Sequence, residues 1–325
     1  MAGELKKRAL GNTGMEISEL GLGTWPLGGT GSGAGYGDIA DADAFSILDS
    51  YIDAGGNYLD TARVYNNSET VIGQYLKSRG NRSDLIISSK SVAGQTADTL
   101  DQFDSDLETS LTELGTDYID VFFLHFPPDD PAVMEEALSK FERFKEQGKI
   151  RAIAASIKGP DVTPKTQELC QMYMDTGKVE ALMVVYSILR QANLSVIEDA
   201  KDRGIGIIVR TVLESGLLTG AYSAGHVFSE NDHRSRYDKD KLEYVLKAND
   251  ELNSFAVESP YTSLAQAAFR FSLEASGISS IVMGAQNSRE IQLNLDTLSL
   301  PPLSSEVVSQ IKSRYGDMTD KANFS

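Results

Sequence analysis

Short apolar runs rich in β-branched and aromatic residues recur along the whole chain. They do not alternate with polar residues, which is typical of strands buried on both faces of a parallel sheet. The runs occupy residues 20–22, 58–59, 85–87, 118–124, 150–155, 179–185, 206–209 and 280–283. The pattern therefore predicts eight parallel β-strands.

Amphipathic segments lie between most of these runs. The clearest spans residues 99–114, where one stripe at helical spacing consists of Leu100, Phe103, Leu107, Leu111 and Leu114. Gly115 follows it as a helix stop. Repeated strand and helix units, about eight of them, predict a closed (β/α)8 TIM barrel. We expect residues 1–325 to form a single barrel domain, since no internal segment resembles a linker.

Two further segments flank or interrupt this pattern. Residues 6–10 and 15–18 surround a Gly-Asn-Thr-Gly turn, which predicts an N-terminal β-hairpin able to plug the bottom of the barrel. The polar segment 222–240 is longer than ordinary connections, and such loops are usually functional or disordered. Its Arg234 and Arg236 suit polar or anionic substrates, so we expect this loop to line the substrate entrance.

The glycine-rich segment 28–37 raises the alternative of a Rossmann dinucleotide fingerprint, because Gly21-Leu22-Gly23 follows strand character. That fingerprint requires its glycines to open a helix directly. Here Trp25-Pro26 and further glycines follow the strand instead. A flexible loop at the barrel mouth is the favoured interpretation.

Composition narrows the function classes. Cys170 is the only cysteine, which excludes an internal disulfide and a zinc site built on thiolates, and we predict no metal site. A formal charge of -17 with scattered Lys and Arg disfavours nucleic-acid binding. We expect neither a signal peptide nor a membrane span, because the sequence contains no apolar run that suits either. We expect a cytoplasmic protein whose partner is a small molecule, and homo-oligomerisation stays open.

The candidate catalytic residues lie where the predicted strands end, which is where barrels carry their active sites. Asp60 ends the second predicted barrel strand and Tyr65 follows a few residues later. Lys90 and His125 end the next two strands. Each residue alone has a structural explanation, such as a helix cap or a solvated strand end. Their joint placement on consecutive strand ends makes that explanation poor for the set.

The four side chains form a coherent acid-base set. A phenol has an ordinary pKa of about 10, and a nearby ammonium favours its ionised form. Lys90 is predicted to lower the pKa of Tyr65, while Asp60 pairs with Lys90 and holds it. His125 would orient a carbonyl oxygen that Tyr65 protonates. No side chain can donate hydride, so a cofactor is required.

At this point the chain resembles the aldo-keto reductase family. The run Asp-Thr-Ala-Arg-Val-Tyr-Asn-Asn-Ser-Glu at 60–69, followed by Gly73, is similar to the family signature around its catalytic Asp and Tyr. Residues 88–90 and 117–125 resemble the lysine and histidine strands. The resemblance implies a (β/α)8 barrel, NAD(P)H use and the four roles given above. The presence of His125 favours carbonyl reduction, because the family's double-bond reductases carry an acidic residue there.

The resemblance also implies a cofactor site. It draws on the first-strand motif at 21–25, the pyrophosphate-covering loop at 216–220 and the adenosine-binding segment at 284–294. The implied cofactor-binding residues are Gly23, Thr24, Trp25, Ser156, Met183, Arg210, Val212, Leu213, Gly216, Leu218, Gly284, Gln286, Glu290 and Asn294.

Several positions depart from the family pattern. Ile157 and Met183 stand where Asn and Gln usually hold the nicotinamide carboxamide. Arg210 replaces the usual stacking aromatic, as in a bacterial-type branch of the family. Glu290 disfavours a 2′-phosphate whereas Arg289 favours one. NADP is expected by family habit with NAD as the alternative. The expected activity interconverts an aldehyde, ketone or sugar and its alcohol, and the alternative is a cofactor-sensing regulatory subunit with little turnover.

Overall fold

A computed structural model of this protein describes residues 5–29, 39–157, 162–229, 232–316 and 318–323. The described residues form ten strands. They are β1 (Lys7–Ala9), β2 (Glu16–Ser18), β3 (Leu20–Gly23), β4 (Tyr58–Asp60), β5 (Ile86–Ser91), β6 (Ile119–Leu124), β7 (Ile150–Ser156), β8 (Ala181–Val185), β9 (Gly206–Arg210) and β10 (Ile278–Gly284).

The helices follow the strands in alternation. They are α1 (Asp41–Asp53), α2 (Ser68–Arg79), α3 (Gln102–Leu114), α4 (Pro131–Glu146), α5 (Pro164–Asp175), α6 (Leu194–Asp202), α7 (Lys239–Ala256), α8 (Leu264–Leu273), α9 (Ser288–Asp296), α10 (Ser305–Tyr315) and α11 (Thr319–Ala322). Among the described residues, no helix is both long enough and apolar enough to cross a membrane.

Eight parallel strands close into a barrel in the order β10-β3-β4-β5-β6-β7-β8-β9. The predicted (β/α)8 architecture is therefore confirmed. Helix α3 buries Phe103, Leu107, Leu111 and Leu114 of the predicted stripe and ends at Gly115, whose φ of 63° suits glycine. It begins at Gln102 rather than at residue 99, because residues Ala97–Thr99 form a separate 3-10 turn capped by Thr96.

The predicted N-terminal hairpin is present as the antiparallel pair β1 and β2. Leu10, Met15 and Ile17 pack with side chains inside the barrel, such as Val121 and Phe123, and so close its lower end. The turn of the hairpin contacts the start of β9, where a Cβ on Gly11 would lie 2.4 Å from the backbone of Gly204. Only glycine permits that approach.

The glycine-rich segment 28–37 lies largely outside the described residues, so its predicted role as a mouth loop stays a prediction. The segment 222–240 is described except for residues 230 and 231. It contains a short 3-10 helix, His233–Arg236, and leads into α7.

Candidate active site

The residues predicted to form the active site lie at the carboxyl ends of barrel strands. Asp60 is the last residue of β4, Lys90 lies next to the end of β5 and His125 directly follows β6. Ser156 ends β7 and Arg210 ends β9. Parallel strands in a closed barrel bring these ends to one rim, so the five side chains share one face of the protein.

Asp60 and Lys90 form an ion pair inside the barrel. The Lys90 Nζ donates to Asp60 Oδ1 at 2.8 Å and Oδ2 at 2.7 Å, and to the carbonyl of Thr61 at 2.7 Å. Lys90 is fully buried and Asp60 nearly so. Desolvating two charges is costly, and this pair offsets the cost by satisfying all three ammonium donors. These three hydrogen bonds hold the Lys90 Nζ at a fixed position.

Tyr65 lies directly above this pair, in the loop between β4 and α2. The Lys90 Nζ is 5.0 Å from the centroid of the Tyr65 ring. The loop is held against the short 3-10 helix Trp25–Gly28, and a Cβ on Gly28 would lie only 1.9 Å from the Tyr65 carbonyl oxygen. Asn66 adopts a φ of 49° and donates to the carbonyl of Gly29 at 3.0 Å. Glycine and asparagine at these positions therefore fix the position of the phenol relative to the Lys90–Asp60 pair.

The pKa of Tyr65 is raised above its ordinary value, chiefly by burial. Lys90 opposes the increase, Asp60 adds to it, and Arg210 opposes it more weakly. The predicted effect of Lys90 has the expected sign, but the sequence argument left out burial, and the net pKa is raised. That argument counted the charge of Lys90 and not the desolvation of the phenolate, which is larger.

His125 is a neutral imidazole at ordinary pH. Burial, and after it the positive charges of Lys90 and Arg210, together lower its pKa to about 3. Its Nδ1 is buried and has no hydrogen-bond partner among the described residues. The ring lies edge-on to Tyr65, with centroids 6.1 Å apart, and Phe126 stacks on it at 4.7 Å. A neutral imidazole carries one N–H donor, which suits it to a carbonyl oxygen.

A cavity of about 230 Å³ opens between these groups. Its lining residues are Tyr65, His125, Phe126, Ser156, Ile157, Met183 and Arg210. Sequence reasoning missed Phe126, although its position next to His125 was a usable signal. A larger cavity of about 640 Å³ lies outside the barrel between α2 and α3, and none of the predicted site residues lines it. The smaller cavity is the candidate active site because the acid-base side chains line it.

Arg210 brings a positive charge to the wall of this cavity. Its guanidinium donates to the carbonyl of Ile157 at 3.1 Å and to the Thr211 hydroxyl at 3.3 Å. Burial, and after it the charge of Arg190, lowers its pKa to about 10. Arg210 therefore remains a cation at neutral pH.

The segment after β9 turns through unusual backbone conformations. Thr211, Glu214 and Ser215 have φ values of 65°, 49° and 56°, which cost about 1 to 3 kcal/mol each for non-glycine residues. Glu214 is fully buried and accepts from Arg190 Nε at 3.0 Å and Nη2 at 2.5 Å. Ser187 also donates to Glu214. Sequence reasoning missed this buried Arg190–Glu214 pair, which holds the segment in its strained form.

The predicted cofactor residues of this segment fall into two groups. Val212 and Leu218 are buried in the apolar core. Leu213 and Gly216 are half-buried. None of the four lines the cavity around Tyr65.

Arg234 anchors the loop that precedes α7. It donates to both carboxylate oxygens of Asp232, to the carbonyl of Ser215 at 3.1 Å and to the hydroxyl of Tyr222 at 3.2 Å. Its guanidinium also lies 4.3 Å from the ring centroid of Phe228. Because Arg234 is buried in these contacts, it does not face a substrate as the sequence suggested. Arg236 is exposed.

The first-strand residues support the site in different ways. Thr24 is fully buried and its hydroxyl donates to the carbonyl of Asp60 at 2.9 Å, so it supports the acid-base set from below. A Cβ on Gly23 would lie 2.7 Å from a methyl group of Val282. The Trp25 ring lies 6.4 Å from the Tyr65 ring, next to the cavity.

The predicted adenosine segment lies at the end of β10 and the start of α9. Glu290 accepts from the backbone N–H of Gln286 at 2.9 Å and from the side chain of Asn287 at 3.0 Å. Asn294 donates to the carbonyl of Gly284 at 3.3 Å. The carboxylate of Glu290 is therefore held beside the first turn of α9.

Comparison with known proteins assigns the family. The model of the Aldo/keto reductase family matches residues 19–315. The chain belongs to the aldo/keto reductase family. The family consists of oxidoreductases that in general act on carbonyl and alcohol groups, and this chain is accordingly an oxidoreductase of that general kind.

Its relatives are distant in sequence but cover most of the chain. Aldo-keto reductase YhdN of Bacillus subtilis is 27% identical, over 87% of this chain and 86% of the relative. The NADH-specific methylglyoxal reductase of Escherichia coli is 28% identical, over 91% and 94%. The holo structure of aldo-keto reductase AKR11C1 from Bacillus halodurans has a TM-score of 0.72 and 25% identity, covering 95% and 96%.

Proposed function

We propose that this protein is an NAD(P)H-dependent reductase that interconverts a small polar carbonyl compound and its alcohol. The observation that carries the proposal is the buried Lys90–Asp60 pair beneath Tyr65 at the cavity. An ammonium fixed there favours the negative charge that a phenol acquires as it gives up a proton. Tyr65 is thus the acid in reduction and the base in oxidation.

The other side chains of the cavity complete the reaction geometry. His125 offers a neutral N–H donor to the carbonyl oxygen, which orients the substrate without competing for its proton. A bound reduced nicotinamide would supply the hydride to the carbonyl carbon, and Tyr65 would supply the proton to the carbonyl oxygen. Phe126 packs against His125 and keeps its ring in one orientation.

The residues present fit a nicotinamide cofactor, with fewer amide contacts than usual. Ser156 and Arg210 offer polar groups at the cavity, whereas Ile157 and Met183 give it an apolar wall suited to a flat ring. The segment bearing Gly216 and the start of α9 would hold the pyrophosphate and adenosine ends. NADP is our first choice by family habit. NAD is the alternative because Glu290 disfavours a 2′-phosphate.

The substrate class is inferred from the cavity and from one relative. The cavity is small, at about 230 Å³, and its polar groups include those of Tyr65, His125 and Arg210. One relative that is similar over most of the chain is named a methylglyoxal reductase. Both favour small oxygenated aldehydes, including short sugars, over large apolar ketones.

The test measures cofactor binding and turnover together. We expect fluorescence titration to detect binding of NADPH or NADH, and methylglyoxal and short hydroxyaldehydes to be reduced. Tyr65→Phe should lower reduction at least ~100-fold while the cofactor Kd stays nearly unchanged. Binding without turnover of any aldehyde would reject the proposal and favour the regulatory alternative.

A further inference from the structure

Tyr58 places a second phenol in the barrel that the proposed mechanism does not use. It lies on β4 two residues before Asp60, so both side chains point to the same face of the strand. It is fully buried. Its hydroxyl lies 2.9 Å from the Ser88 hydroxyl, which in turn lies 2.7 Å from Asp60 Oδ1.

The chemistry of these groups fixes the direction of the hydrogen bonds. An ionised carboxylate only accepts hydrogen bonds, so Ser88 donates its single hydrogen to Asp60. The Ser88 oxygen then accepts the hydrogen of Tyr58. Burial, and after it the charge of Asp60, raises the pKa of Tyr58 well above its ordinary value, so that Tyr58 keeps its proton. The chain therefore runs from Tyr58 through Ser88 to Asp60, where Lys90 donates from the other side.

The barrel makes room for this phenol at a specific place. A Cβ on Gly21 of β3 would lie 2.3 Å from Tyr58 Cδ1 and 3.1 Å from the Ser280 hydroxyl. No side chain larger than hydrogen fits there unless the ring of Tyr58 moves. The glycine on one strand and the tyrosine on its neighbour therefore form a matched pair.

We propose that Tyr58 and Ser88 are positioning residues for proton transfer, which direct a hydroxyl hydrogen bond at Asp60 and so limit how much of its negative charge acts on Tyr65. This inference rests on the proposed function, in which Tyr65 is the acid. The two hydroxyls also fix the Asp60 carboxylate in the orientation that accepts two hydrogen bonds from Lys90.

The sign of the effect follows from the charges around Tyr65. Asp60 raises the pKa of Tyr65 and Lys90 lowers it. Removing a donor from Asp60 leaves more of its charge uncompensated, since a hydroxyl dipole that points at a carboxylate partly neutralises it. The pKa of Tyr65 should then rise. Ser88→Ala removes the donor itself, whereas Tyr58→Phe only weakens it, so the first change should have the larger effect.

The experiment compares Tyr58→Phe, Ser88→Ala and Ser88→Thr by the pH profile of kcat/KM for alcohol oxidation. We expect Ser88→Ala to move the ionisation of Tyr65 upward by about half a pH unit and to lower kcat about threefold at neutral pH. Tyr58→Phe should give a smaller shift in the same direction. Ser88→Thr keeps the hydroxyl and should restore the wild-type profile.

A buried phenol remote from the site supplies the matched control. Tyr315 is also almost fully buried, and its hydroxyl donates to Glu251 at 2.8 Å on the outer helices. Tyr315→Phe should lower the melting temperature without moving the pH profile. If Tyr58→Phe and Ser88→Ala likewise lower only the melting temperature, the two residues are structural and the inference is overturned.

A readout that does not need turnover separates this inference from the proposed function. The ionisation of Tyr65 is followed by phenolate absorbance after rapid pH jumps, as the difference between each protein and its Tyr65→Phe counterpart. The inference expects this ionisation to move upward in Ser88→Ala even in a protein that reduces no carbonyl. If the enzyme is active but the ionisation of Tyr65 does not move in Ser88→Ala, only the inference is contradicted. If that ionisation moves but no carbonyl is reduced, only the proposed function is contradicted.

Discussion

Replacing Lys90 by methionine removes the ammonium beneath Tyr65 and keeps a long, unbranched side chain. The Lys90 Nζ lies 5.0 Å from the Tyr65 ring centroid. At about 5 Å and an effective dielectric constant near 20, an ammonium and a phenolate attract each other by roughly 3 kcal/mol. If most of this attraction develops as the proton leaves, Lys90→Met lowers kcat about 100-fold.

The same substitution leaves Asp60 without its charged partner. Removing one partner of a buried ion pair costs about 3 to 5 kcal/mol of folding stability, because the remaining charge stays desolvated. Asp60 also raises the pKa of Tyr65, so its uncompensated charge adds to the loss of activity. The double variant Asp60→Asn with Lys90→Met removes both charges. We expect it to regain much of the stability and little of the turnover.

The assay measures kcat for an accepted aldehyde, the cofactor Kd and the free energy of unfolding for all three proteins. The expected order of turnover is wild type, then the double variant, then Lys90→Met. If the double variant regains wild-type turnover, Lys90 serves only to compensate Asp60. A loss below about fivefold in Lys90→Met would refute the electrostatic argument itself.

Three further predictions concern other parts of the site. The pKa of His125 is lowered to about 3 in the folded protein, whereas it is about 6.5 in the unfolded chain. Between about pH 6.5 and 3 the unfolded chain therefore binds one more proton, and stability falls as pH decreases through that window. Urea unfolding should show a smaller loss in His125→Gln. Arg234→Ala breaks the contact with the Ser215 carbonyl, so stopped-flow measurement should find cofactor release faster by about tenfold, whereas the exposed control Arg236→Ala should leave it unchanged. Glu290→Gln removes a negative charge and keeps an acceptor oxygen, so the ratio of NADPH to NADH affinity should rise about tenfold, and an unchanged ratio would mean that Glu290 does not face the ribose.

The barrel and the location of the acid-base set could be predicted because both depend on local order in the sequence. Each buried strand is short and apolar, and each is followed by a helix that the hydrophobic stripe reveals. Asp60, Lys90 and His125 stand at strand ends, and a closed parallel sheet brings such ends together without further information. The hairpin at the bottom was predictable for the same reason, since residues 6–10 and 15–18 flank a turn with a glycine at each end.

The electrostatics of the site could not be predicted in the same way. The raised pKa of Tyr65 depends on how far the folded chain buries the phenol, which the sequence order does not describe. The Arg190–Glu214 pair joins the loops after β8 and β9, and its geometry depends on three residues with positive φ. Arg234 looked like a substrate ligand because its partners, Asp232 and the Ser215 carbonyl, become visible only when the loop is folded.

One unrecognised feature nevertheless left a signal in the sequence. Side chains two residues apart on a strand point the same way, so Tyr58 with Asp60 and Ser88 with Lys90 had to face the barrel interior together. The register that places Asp60 beside Ser88 then makes contact between the two pairs unavoidable. A polar residue two positions before a catalytic residue on a barrel strand therefore lies beneath that residue, where its hydrogen bonds act on the same charge. Such positions deserve the scrutiny that strand ends already receive, because their side chains tune the acid without contacting the substrate.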